Sequence, residues 1–517
     1  MRLSDYLDKG VSLGRDAPCL TIGDTTRNYG QVYDDTVAIA AALQHNGIEA
    51  GDRVAVLSAN DPLALTCVFA ISRAGAVWCP INPRNEADEN RQLFELFGCR
   101  FLFFQKAFAD LVGRIRDQLP RLEWLVCLDG DVPGALSYDS WLVEHGSDSV
   151  AERRPADGLC MIAGTGGTTG KPKGVRLTEE NMMTSTATAL MSYPFGDRPR
   201  YLALAPLTHS AGVLTFPILS LGGHVVVMGA PDVGKFLSLI EKHGITHAFL
   251  PPTVIYGVLD HPDLDVTDLS SLRCLWYGAA PMSPTRLEEA LTRIGPVLGQ
   301  LFGQTEAPNM IATLAPADHF RSDGTVATER LSSAGKPTPL TTVAIMNDDG
   351  GLVERGERGE IVVRGPLVMQ GYHENPDATA EVGAHGWHHT GDIGYLDDDY
   401  LYVVDRAKDM IITGGFNVYS AEVEQALLSH PSVKECAVVG LPDDKWGERV
   451  TAAVMLRPGR DASDEDLISH VKAKIGSIKA PKQIQIWTDL PRSKVGKILK
   501  TEIRSTMSHS SSKGSTP

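Results

Sequence analysis

Residues 159–174 read LCMIAGTGGTTGKPKG, an apolar strand pattern that leads at once into a loop rich in glycine and threonine. Short apolar runs bounded by glycine are typical of buried strands. The glycines let the backbone curl so that successive N–H groups converge on an anion, while threonine hydroxyls and lysines add donors and positive charge. The stretch predicts a strand over Leu159–Ala163 and a phosphate-binding loop directly after it.

Two better-known phosphate loops are excluded by the spacing. The P-loop pattern G-x-x-x-x-G-K-[ST] fails because Thr165 stands at its first glycine and Pro172 at its serine or threonine. The dinucleotide fingerprint G-x-G-x-x-G fails because Thr169 stands at its third glycine. A flexible surface turn is the remaining alternative. The strand before the loop, the run of threonines and the paired Lys171 and Lys173 argue against it.

Helix and strand patterns alternate on both sides of this loop. Val32, Ile39 and Leu43 recur at helical spacing before Gly47, and Pro62 opens another helix. Short strands between helices indicate an α/β protein with a largely parallel sheet. Strands are expected at Arg53–Leu57, from Ala76 to Pro80, and at Leu159–Ala163, Val225–Met228, Ala248–Leu250 and Leu272–Tyr277.

The pattern changes after about residue 330, where short strands lie close together between Gly and Asp turns. This predicts a small antiparallel β unit that ends near residue 405. A compact α+β module follows, with a helix from about Ala421. We therefore expect an α/β fold with a large N-terminal domain of stacked α/β subdomains plus the β unit (residues 1–407). A small mobile C-terminal domain (408–507) and a disordered tail (508–517) follow it.

Length and charge limit the classes of protein to be considered. With 517 residues the chain is too long for one hydrophobic core. Its net charge of −16 makes generic binding of nucleic acid or an anionic membrane unfavourable. No apolar run is long enough to span a bilayer, and the first residues lack a signal-peptide pattern. The eight cysteines include no C-x-x-C pair, so we expect buried free thiols and a cytoplasmic protein.

Seven further segments carry residues suited to chemistry. They are Leu204–Ser210, Tyr277–Pro281, Leu301–Glu306, Thr390–Asp392, Asp405–Asp409, Gly414–Asn417 and Pro491–Lys497. Together with the glycine–threonine loop they resemble, in order along nearly the whole chain, the motifs of the adenylate-forming superfamily. That superfamily comprises acyl-CoA synthetases, peptide-synthetase adenylation domains and beetle luciferases, and the resemblance is closest to fatty-acyl-CoA-synthetase-like members.

The resemblance implies binding sites for ATP, Mg²⁺ and coenzyme A. Glu306 and Thr165 would hold the metal, Asp392 the ribose hydroxyls, and Lys408 would be the hinge between the two domains. Residues near Gly278 and Phe302 would border the adenine, and the loop at Gly414 would line the pantetheine tunnel. The full set of expected cofactor-binding residues is Thr165, Gly166, Gly167, Thr168, Thr169, Gly170, Lys173, Gly278, Ala279, Ala280, Phe302, Gly303, Gln304, Thr305, Asp392, Arg406, Lys408, Gly414, Gly415 and Phe416.

Four residues are expected to act in catalysis by the same resemblance. Lys497 aligns with the lysine that meets the carboxylate and the α-phosphate, and His209 with the histidine that lines the acid pocket. Glu306 and Thr165 complete the set. Three positions depart from the usual motifs. Gly166 replaces serine and Phe302 replaces tyrosine, each with loss of a hydroxyl, and Ser420 replaces proline, a change expected to be neutral.

The implied reaction is ATP-dependent formation of an acyl-adenylate, followed by transfer of the acyl group to coenzyme A. Transfer to a carrier protein is one alternative, and a nucleotide-binding protein without catalysis is another. No carboxylate in Ala205–Leu214 could pair with an amino-acid ammonium group, so an amino acid is disfavoured. Residues expected near the pocket suggest an apolar acid, whether fatty, aromatic, alicyclic or terpenoid: Val213, Leu214, Tyr256, Tyr277, Ala279 and Pro308. Relatives are commonly monomers or dimers, so a homodimer is one of the assemblies implied.

Overall fold

The computed structural model describes residues 1–147, 149–166, 172–208, 210–443, 445–492 and 498–512. Strands and helices alternate in its first third, as predicted. The strands are β1 (Pro18–Ile22), β2 (Thr25–Asn28), β3 (Arg53–Leu57), β4 (Val77–Ile81), β5 (Phe101–Phe104), β6 (Trp124–Cys127), β7 (Leu136–Ser137), β8 (Leu159–Gly166) and β9 (Pro172–Thr178). The helices are α1 (Leu3–Leu13), α2 (Tyr29–His45), α3 (Pro62–Arg73), α4 (Ala87–Phe97), α5 (Ala109–Ile115) and α6 (Tyr138–His145).

Local capping explains where the early helices begin. The Asn28 side chain accepts from the Gln31 backbone N–H at the start of α2, and the Gln31 side chain bonds back to Asn28. The Asp61 side chain caps α3 by accepting from the N–H groups of Leu63 and Ala64, and Pro62 occupies the first helical position. These contacts satisfy backbone donors that have no partner inside the helix. The helix expected to begin at Pro62 and the strand expected to begin at Arg53 are both confirmed.

The middle of the chain continues the alternation. Its strands are β10 (Arg200–Ala203), β11 (His224–Val227), β12 (His247–Leu250), β13 (Cys274–Gly278), β14 (Leu298–Gln304), β15 (Ala307–Leu314) and β16 (Lys336–Pro337). Its helices are α7 (Glu179–Ser192), α8 (Ser210–Val213), α9 (Thr215–Ser220), α10 (Val233–His243), α11 (Pro252–Leu259) and α12 (Pro284–Arg293).

The β unit follows, with β17 (Thr342–Met346), β18 (Gly359–Arg364), β19 (Gly371–Tyr372), β20 (His388–Asp397) and β21 (Tyr400–Arg406), and with helix α13 (Pro376–Val382). Strands β17, β18, β20 and β21 pair in that order and are antiparallel, as predicted. The short strand β19 does not join them. It adds to the edge of another sheet beside β9, which brings residues 371–372 next to the glycine–threonine loop.

Two larger sheets form the N-terminal body. One has the order β19-β9-β8-β4-β3-β5-β6-β7, and the other has the order β16-β15-β14-β13-β12-β10-β11-β1-β2. Strands β10 to β14 are parallel, so their carboxyl ends share one edge of the sheet. Open α/β sheets bind ligands at this edge. The segments after β10, β13 and β14 carry three of the sequence motifs, and the fold therefore collects them at one edge.

The C-terminal region has its own sheet and core. Its strands are β22 (Ile411–Thr413), β23 (Phe416–Val418), β24 (Val433–Asp443), β25 (Gly447–Leu456) and β26 (Gln483–Ile486), and its helices are α14 (Ser420–Leu428), α15 (Asp464–Ile475) and α16 (Lys500–Ser512). Val423, Val438 and Val471 are among its buried residues. Helix α16 reaches Ser512, so the expectation of a disordered tail from residue 508 is wrong for residues 508–512. Residues 513–517 lie outside the described part of the chain.

The structure bears on the expectations for the cysteines and for membrane-spanning segments. All eight cysteines are free and buried, as predicted. Within the described residues, no helix combines the length and the apolar character needed to cross a bilayer.

Candidate active site

The glycine–threonine loop connects β8 and β9, which form an antiparallel hairpin. Thr165 lies opposite Lys173, and Gly166 lies opposite Pro172. A Cβ at Gly164 would come within 2.7 Å of the Leu93 side chain on α4, so the hairpin packs closely against that helix. The expected phosphate-binding residues Gly167, Thr168, Thr169 and Gly170 lie outside the described residues.

Tyr372 connects this hairpin to Glu306. Its hydroxyl donates to Glu306 Oε1 at 2.8 Å, and Lys173 Nζ lies 4.8 Å from the centre of its ring. Glu306 is 9% exposed, so its carboxylate lies at the buried end of the site. The contacts place Thr165, Lys173 and Glu306 along one continuous path, although they come from distant parts of the sequence.

The Gly278 turn and the Phe302 motif lie side by side because β13 and β14 pair at Gly278 and Leu301. A Cβ at Gly278 would lie 2.5 Å from the Leu301 carbonyl oxygen, and one at Gly303 would lie 2.6 Å from the Asn309 nitrogen. Ala279 has a φ of 64°, a left-handed value that few non-glycine residues adopt. Two glycines and an alanine in the left-handed region thus let these two segments pack closely together.

Two amide groups in this region are buried without a hydrogen-bond partner among the described residues. They are Gln304 Nε2 and Asn309 Nδ2. A buried donor without a partner costs free energy, and a bound acceptor would relieve that cost. ATP and a carboxylic acid both carry such acceptors. The amide donors are therefore consistent with a ligand bound at this edge of the sheet.

Asp392 lies at the start of the β20–β21 hairpin and pairs with Arg406. The distance from Arg406 Nε to Asp392 Oδ1 is 3.2 Å, and Asp392 is 7% exposed while Arg406 is exposed. The turn before Asp392 is fixed by Glu360, whose Oε1 accepts from the Gly391 N–H at 2.8 Å. Its Oε2 lies 2.7 Å from His389 Nδ1. Glu360 and His389 were not predicted, since neither belongs to a recognisable motif.

The expected hinge residue Lys408 lies in a short turn, Ala407–Asp409, between β21 and β22, and is exposed. The Gly414 loop after β22 is also exposed. Gly414 and Gly415 have φ values of 57° and 81°, and Gly414 N donates to the Trp446 carbonyl at 2.7 Å. Phe416 and Trp446 are 55% and 41% exposed, so this face of the C-terminal domain presents apolar side chains to solvent.

A different part of the C-terminal domain lies near helix α11. Arg492 pairs with Glu435 on β24, directly before the segment 493–497 that contains Lys497. Burial raises the pKa of Tyr256 on α11, and the Glu435 carboxylate raises it further, which requires the two groups to be close. Lys497 and His209 themselves lie outside the described residues.

The pocket residues expected from the sequence do not all line one cavity. The Tyr277 hydroxyl lies 3.0 Å from His319 Nε2, in a buried cluster that includes Leu250 and Leu287. Tyr277 is therefore a core residue, and the expectation that it lines the pocket is wrong. The Tyr256 hydroxyl is also engaged within the protein, because it accepts from the Ser283 N–H at 2.9 Å.

The residues at Glu306 fit Mg²⁺. The described residues contain no group of three or more His, Cys, Asp or Glu side chains placed to hold a metal ion. Mg²⁺ usually takes one or two protein carboxylates and completes its shell with water and substrate phosphates. One carboxylate at Glu306, with the Thr165 hydroxyl near the phosphate loop, matches that requirement.

Comparison with known proteins decides the family. Residues 8–373 match the family described as AMP-binding enzyme, and residues 422–497 match the AMP-binding enzyme C-terminal domain. The chain belongs to the AMP-binding enzyme family. This confirms the family resemblance and the fold class that were inferred from the motifs, including the smaller C-terminal domain.

Individual members of the AMP-binding enzyme family resemble the chain over almost its full length. It is 36% identical to the medium/long-chain-fatty-acid–CoA ligase FadD8 of Mycobacterium tuberculosis, covering 94% of this chain and 87% of the relative. It is 35% identical to a feruloyl-CoA synthase of an Amycolatopsis species, covering 93% and 94% respectively. The solved structure of the amide bond synthetase McbA from Marinactinospora thermotolerans superposes with a TM-score of 0.89 at 31% identity, covering 98% of this chain and 99% of that one.

Membership of the AMP-binding enzyme family confirms the predicted enzyme class, an AMP-forming acid–thiol ligase, because the similar curated proteins are named as CoA ligases. ATP and coenzyme A are the co-substrates that this class implies. The structure brings the glycine–threonine hairpin and Glu306 together, and separately joins Asp392 to Arg406. Tyr372 joins Glu360 and His389 among the residues that the sequence analysis did not predict, because a lone tyrosine after glycine gives no signal.

Proposed function

We propose that this chain activates an apolar carboxylic acid with ATP as an acyl-adenylate and then transfers the acyl group to coenzyme A. The observation that carries the proposal is the path from Thr165 and Lys173 through Tyr372 to Glu306. It joins a hairpin suited to phosphates with a buried carboxylate suited to a divalent cation. These are the two requirements for holding a triphosphate near its metal.

In the first step, a carboxylate oxygen of the acid attacks the α-phosphorus of ATP. The bond from that phosphorus to the oxygen bridging the β-phosphate breaks, and pyrophosphate leaves. Both reactants are anions, so the site must neutralise charge and hold them in line. Thr165 and Lys173 bind oxygens of the departing pyrophosphate, and Lys497 contacts the attacking carboxylate and the α-phosphate.

The remaining site residues hold the nucleotide during this step. Asp392 accepts from the ribose hydroxyls, and Arg406, which is already paired with Asp392, adds a positive charge beside them. The flat backbone at Gly278–Ala280 and the Phe302 ring border the adenine. Mg²⁺ bound at Glu306 and Thr165 would supply neutralisation of phosphate charge. Glu306 is preorganised for this role because Tyr372 already fixes one of its oxygens.

In the second step, the sulfur of coenzyme A attacks the carbonyl carbon of the acyl-adenylate. The carbon–oxygen bond to AMP breaks, and AMP leaves while the thiol proton passes to solvent. The Gly414–Phe416 loop lines the path of the pantetheine arm. Glycines at positions 414 and 415 allow a thin ligand to approach the backbone closely.

The orientation of the C-terminal domain supports a division of labour between two of its faces. The face with Glu435 and Arg492, which precedes Lys497, lies toward α11. The Gly414 loop, with Phe416 and Trp446, faces solvent. We infer that this arrangement serves the first step, and that rotation about Lys408 brings the Gly414 loop to the site for the second.

The acid is proposed to have an apolar tail. The stretch around α8 and α9, expected near the pocket, is apolar, includes Val213 and Leu214, and carries no charged side chain. A buried second carboxylate or an ammonium group would need a paired charge there. The similar curated proteins include ligases named for fatty acids and for ferulate. An aliphatic or aromatic monocarboxylate is therefore the substrate class proposed.

The test is pyrophosphate release from ATP and Mg²⁺ across a panel of fatty, aryl and dicarboxylic acids, with and without coenzyme A. We expect release with an apolar monocarboxylate, dependent on coenzyme A, and an acyl-CoA product by mass spectrometry. Adenylate formation that coenzyme A does not drive forward would instead favour a carrier protein as acceptor. No release with any acid, despite binding of ATP, would favour the non-catalytic alternative.

A further inference from the structure

We propose that Tyr372 is a positioning residue that orients Glu306 toward the metal and holds Lys173 beside the phosphates. The inference rests on the function proposed above, since it concerns the same site. It assigns to a residue outside every recognised motif the task of joining two of them. The support comes from the backbone around Tyr372, from its hydroxyl and from its ring.

The backbone of residues 369–373 is fixed from two sides. On one side, Met369 N donates to the Glu306 carbonyl at 2.8 Å. On the other, Gln370 N donates to the Arg176 carbonyl at 3.0 Å and His373 N to the Gly174 carbonyl at 2.7 Å, both on β9. The segment therefore forms a bridge between the Glu306 turn and strand β9, which follows the phosphate loop.

Helix α13 holds the same bridge from a third direction. Tyr372 N donates to Thr379 Oγ1 at 2.9 Å. Gly371 has a φ of 143°, and a Cβ there would lie 2.7 Å from the Thr379 side chain, so only glycine fits. These contacts fix the backbone from which the Tyr372 side chain extends to Glu306.

The Tyr372 hydroxyl acts on Glu306 as a donor. The ordinary pKa of a tyrosine phenol is about 10, so the hydroxyl carries its proton at neutral pH and can donate it. It donates to Oε1 at 2.8 Å, whereas Oε2 has no hydrogen-bond partner within the described parts of the chain. A hydrogen bond to a charged group is among the stronger kinds. One oxygen is thus held in place, and the other is left for a cation or its water.

The Tyr372 ring acts on Lys173 separately from the hydroxyl. The ammonium nitrogen lies 4.8 Å from the ring centre, within the range of a cation–π contact. Lys173 extends from the strand position opposite Thr165, so the ring fixes its charge near the loop. A single side chain therefore sets the positions of the carboxylate and of the lysine relative to each other.

Two substitutions separate these contributions. Tyr372→Phe keeps the ring and removes the donor, and Tyr372→Leu removes both. For Tyr372→Phe we expect Mn²⁺, used as a spectroscopic probe for Mg²⁺, to bind the ATP complex about 10-fold more weakly by electron paramagnetic resonance. Binding of ATP without metal should be unchanged. For Tyr372→Leu, binding of ATP without metal should also weaken, by about 3-fold.

The chain offers a matched control in Tyr400. Its hydroxyl lies 3.4 Å from Asp318 Oδ1, and its ring carries Arg330 and Lys336 at 5.0 and 5.1 Å, but it belongs to the β20–β21 hairpin away from Glu306. Tyr400→Phe should leave Mn²⁺ and ATP binding unchanged. If Tyr372→Phe binds Mn²⁺ as tightly as the unmodified enzyme, the inference is overturned. The proposed function would still stand in that case, provided that the unmodified enzyme turns over its acid. A wild-type protein that binds neither ATP nor Mn²⁺ would overturn both.

Discussion

Ser420 Oγ donates to Asp405 Oδ2 at 2.7 Å, across the turn that contains the expected hinge residue Lys408. Ser420 is fully buried, and it also accepts from Lys500 Nζ at 2.6 Å. Lys500 pairs in turn with Glu424 at 2.8 Å. The replacement of proline by serine, expected to be neutral, instead creates a contact between the last strand of the N-terminal body and two helices of the C-terminal domain.

We predict that Ser420→Ala destabilises the observed domain arrangement. Loss of the hydroxyl leaves Asp405 and Lys500 each with one fewer partner, at a cost of about 1–2 kcal/mol. Adenylate formation should therefore slow by up to about 10-fold relative to thioester formation from supplied acyl-adenylate. The measurement is the ratio of the two half-reaction rates by rapid quench.

Ser429→Ala is the matched control for that substitution. Ser429 Oγ donates to the Ala426 carbonyl at 2.6 Å and lies 2.8 Å from His470 Nε2, so its contacts stay within α14 and α15 of the C-terminal domain. Its loss affects the C-terminal domain but not the junction with Asp405. An equal change in the ratio for both variants would show that Ser420 only stabilises its own domain.

Lys497 and Gly415 are predicted to affect opposite half-reactions. Lys497→Ala should slow adenylate formation by about 100-fold or more, because it removes a charge from the reacting oxygens, and should largely spare thioester formation. Gly415→Leu should do the reverse, since Gly415 has a φ of 81° that leucine disfavours and since its side chain would enter the pantetheine path. Lys482→Ala, a lysine bonded to the Ser477 carbonyl, serves as control. Equal loss of both half-reactions in Lys497→Ala would refute the assignment.

Asp392 is predicted to govern affinity for the nucleotide. Asp392→Ala removes the proposed acceptor for the ribose hydroxyls and leaves Arg406 without its partner. We expect the KM for ATP to rise by about 10-fold or more, with a smaller change in the KM for the acid. The control is Asp399→Asn on the same hairpin, where the exposed Asp399 pairs with Arg355 at 2.6 Å. A KM for ATP that Asp392→Ala leaves unchanged would remove Asp392 from the nucleotide site.

The fold is predicted to lose stability as the pH falls from about 6.5 to 4. Burial lowers the pKa of His224, His247, His319 and His388 to about 4 in each case. In the unfolded chain these groups take up protons below pH 6.5, whereas in the folded protein they do so only near pH 4. Unfolding therefore takes up protons in this interval, and each group contributes a slope of about 1.4 kcal/mol per pH unit.

One histidine offers a direct test of that slope. His388 Nε2 is buried without a hydrogen-bond partner in the described structure, so His388→Phe removes a titrating group without breaking a contact of that nitrogen. The free energy of unfolding in urea is measured at several pH values between 6.5 and 4. Its slope against pH should be smaller in His388→Phe by about 1.4 kcal/mol per pH unit, which corresponds to one proton fewer taken up on unfolding. A slope equal to that of the wild-type protein would remove His388 from the groups responsible for the pH dependence.

Much of the fold could be predicted from local patterns. The strands at Arg53–Leu57 and Leu159–Ala163 and the antiparallel unit after residue 330 follow from apolar runs and turn residues that act over short distances. The motifs after β10, β13 and β14 could be placed at one sheet edge because parallel strands share their direction. These features depend on neighbours in the sequence.

The contacts that could not be predicted join distant segments. Tyr372 reaches Glu306 over 66 positions because β19 leaves its own region and pairs with β9. Tyr277 turns into the core toward His319 because side chains alternate along β13, which the motif alone does not reveal. Helix α16 continues past residue 508, since Ile503 and Met507 pack against Leu441 and Leu490. In each case tertiary packing decides the outcome.

The most direct test of the central claim follows an oxygen atom. The preferred acid from the panel, labelled with ¹⁸O in its carboxylate, is incubated with ATP, Mg²⁺ and coenzyme A, and the products are analysed by mass spectrometry. Attack of the carboxylate on the α-phosphorus requires one labelled oxygen to leave in AMP, with unlabelled pyrophosphate. Label in inorganic phosphate, together with ADP, would show attack on the γ-phosphorus and would contradict activation through an acyl-adenylate.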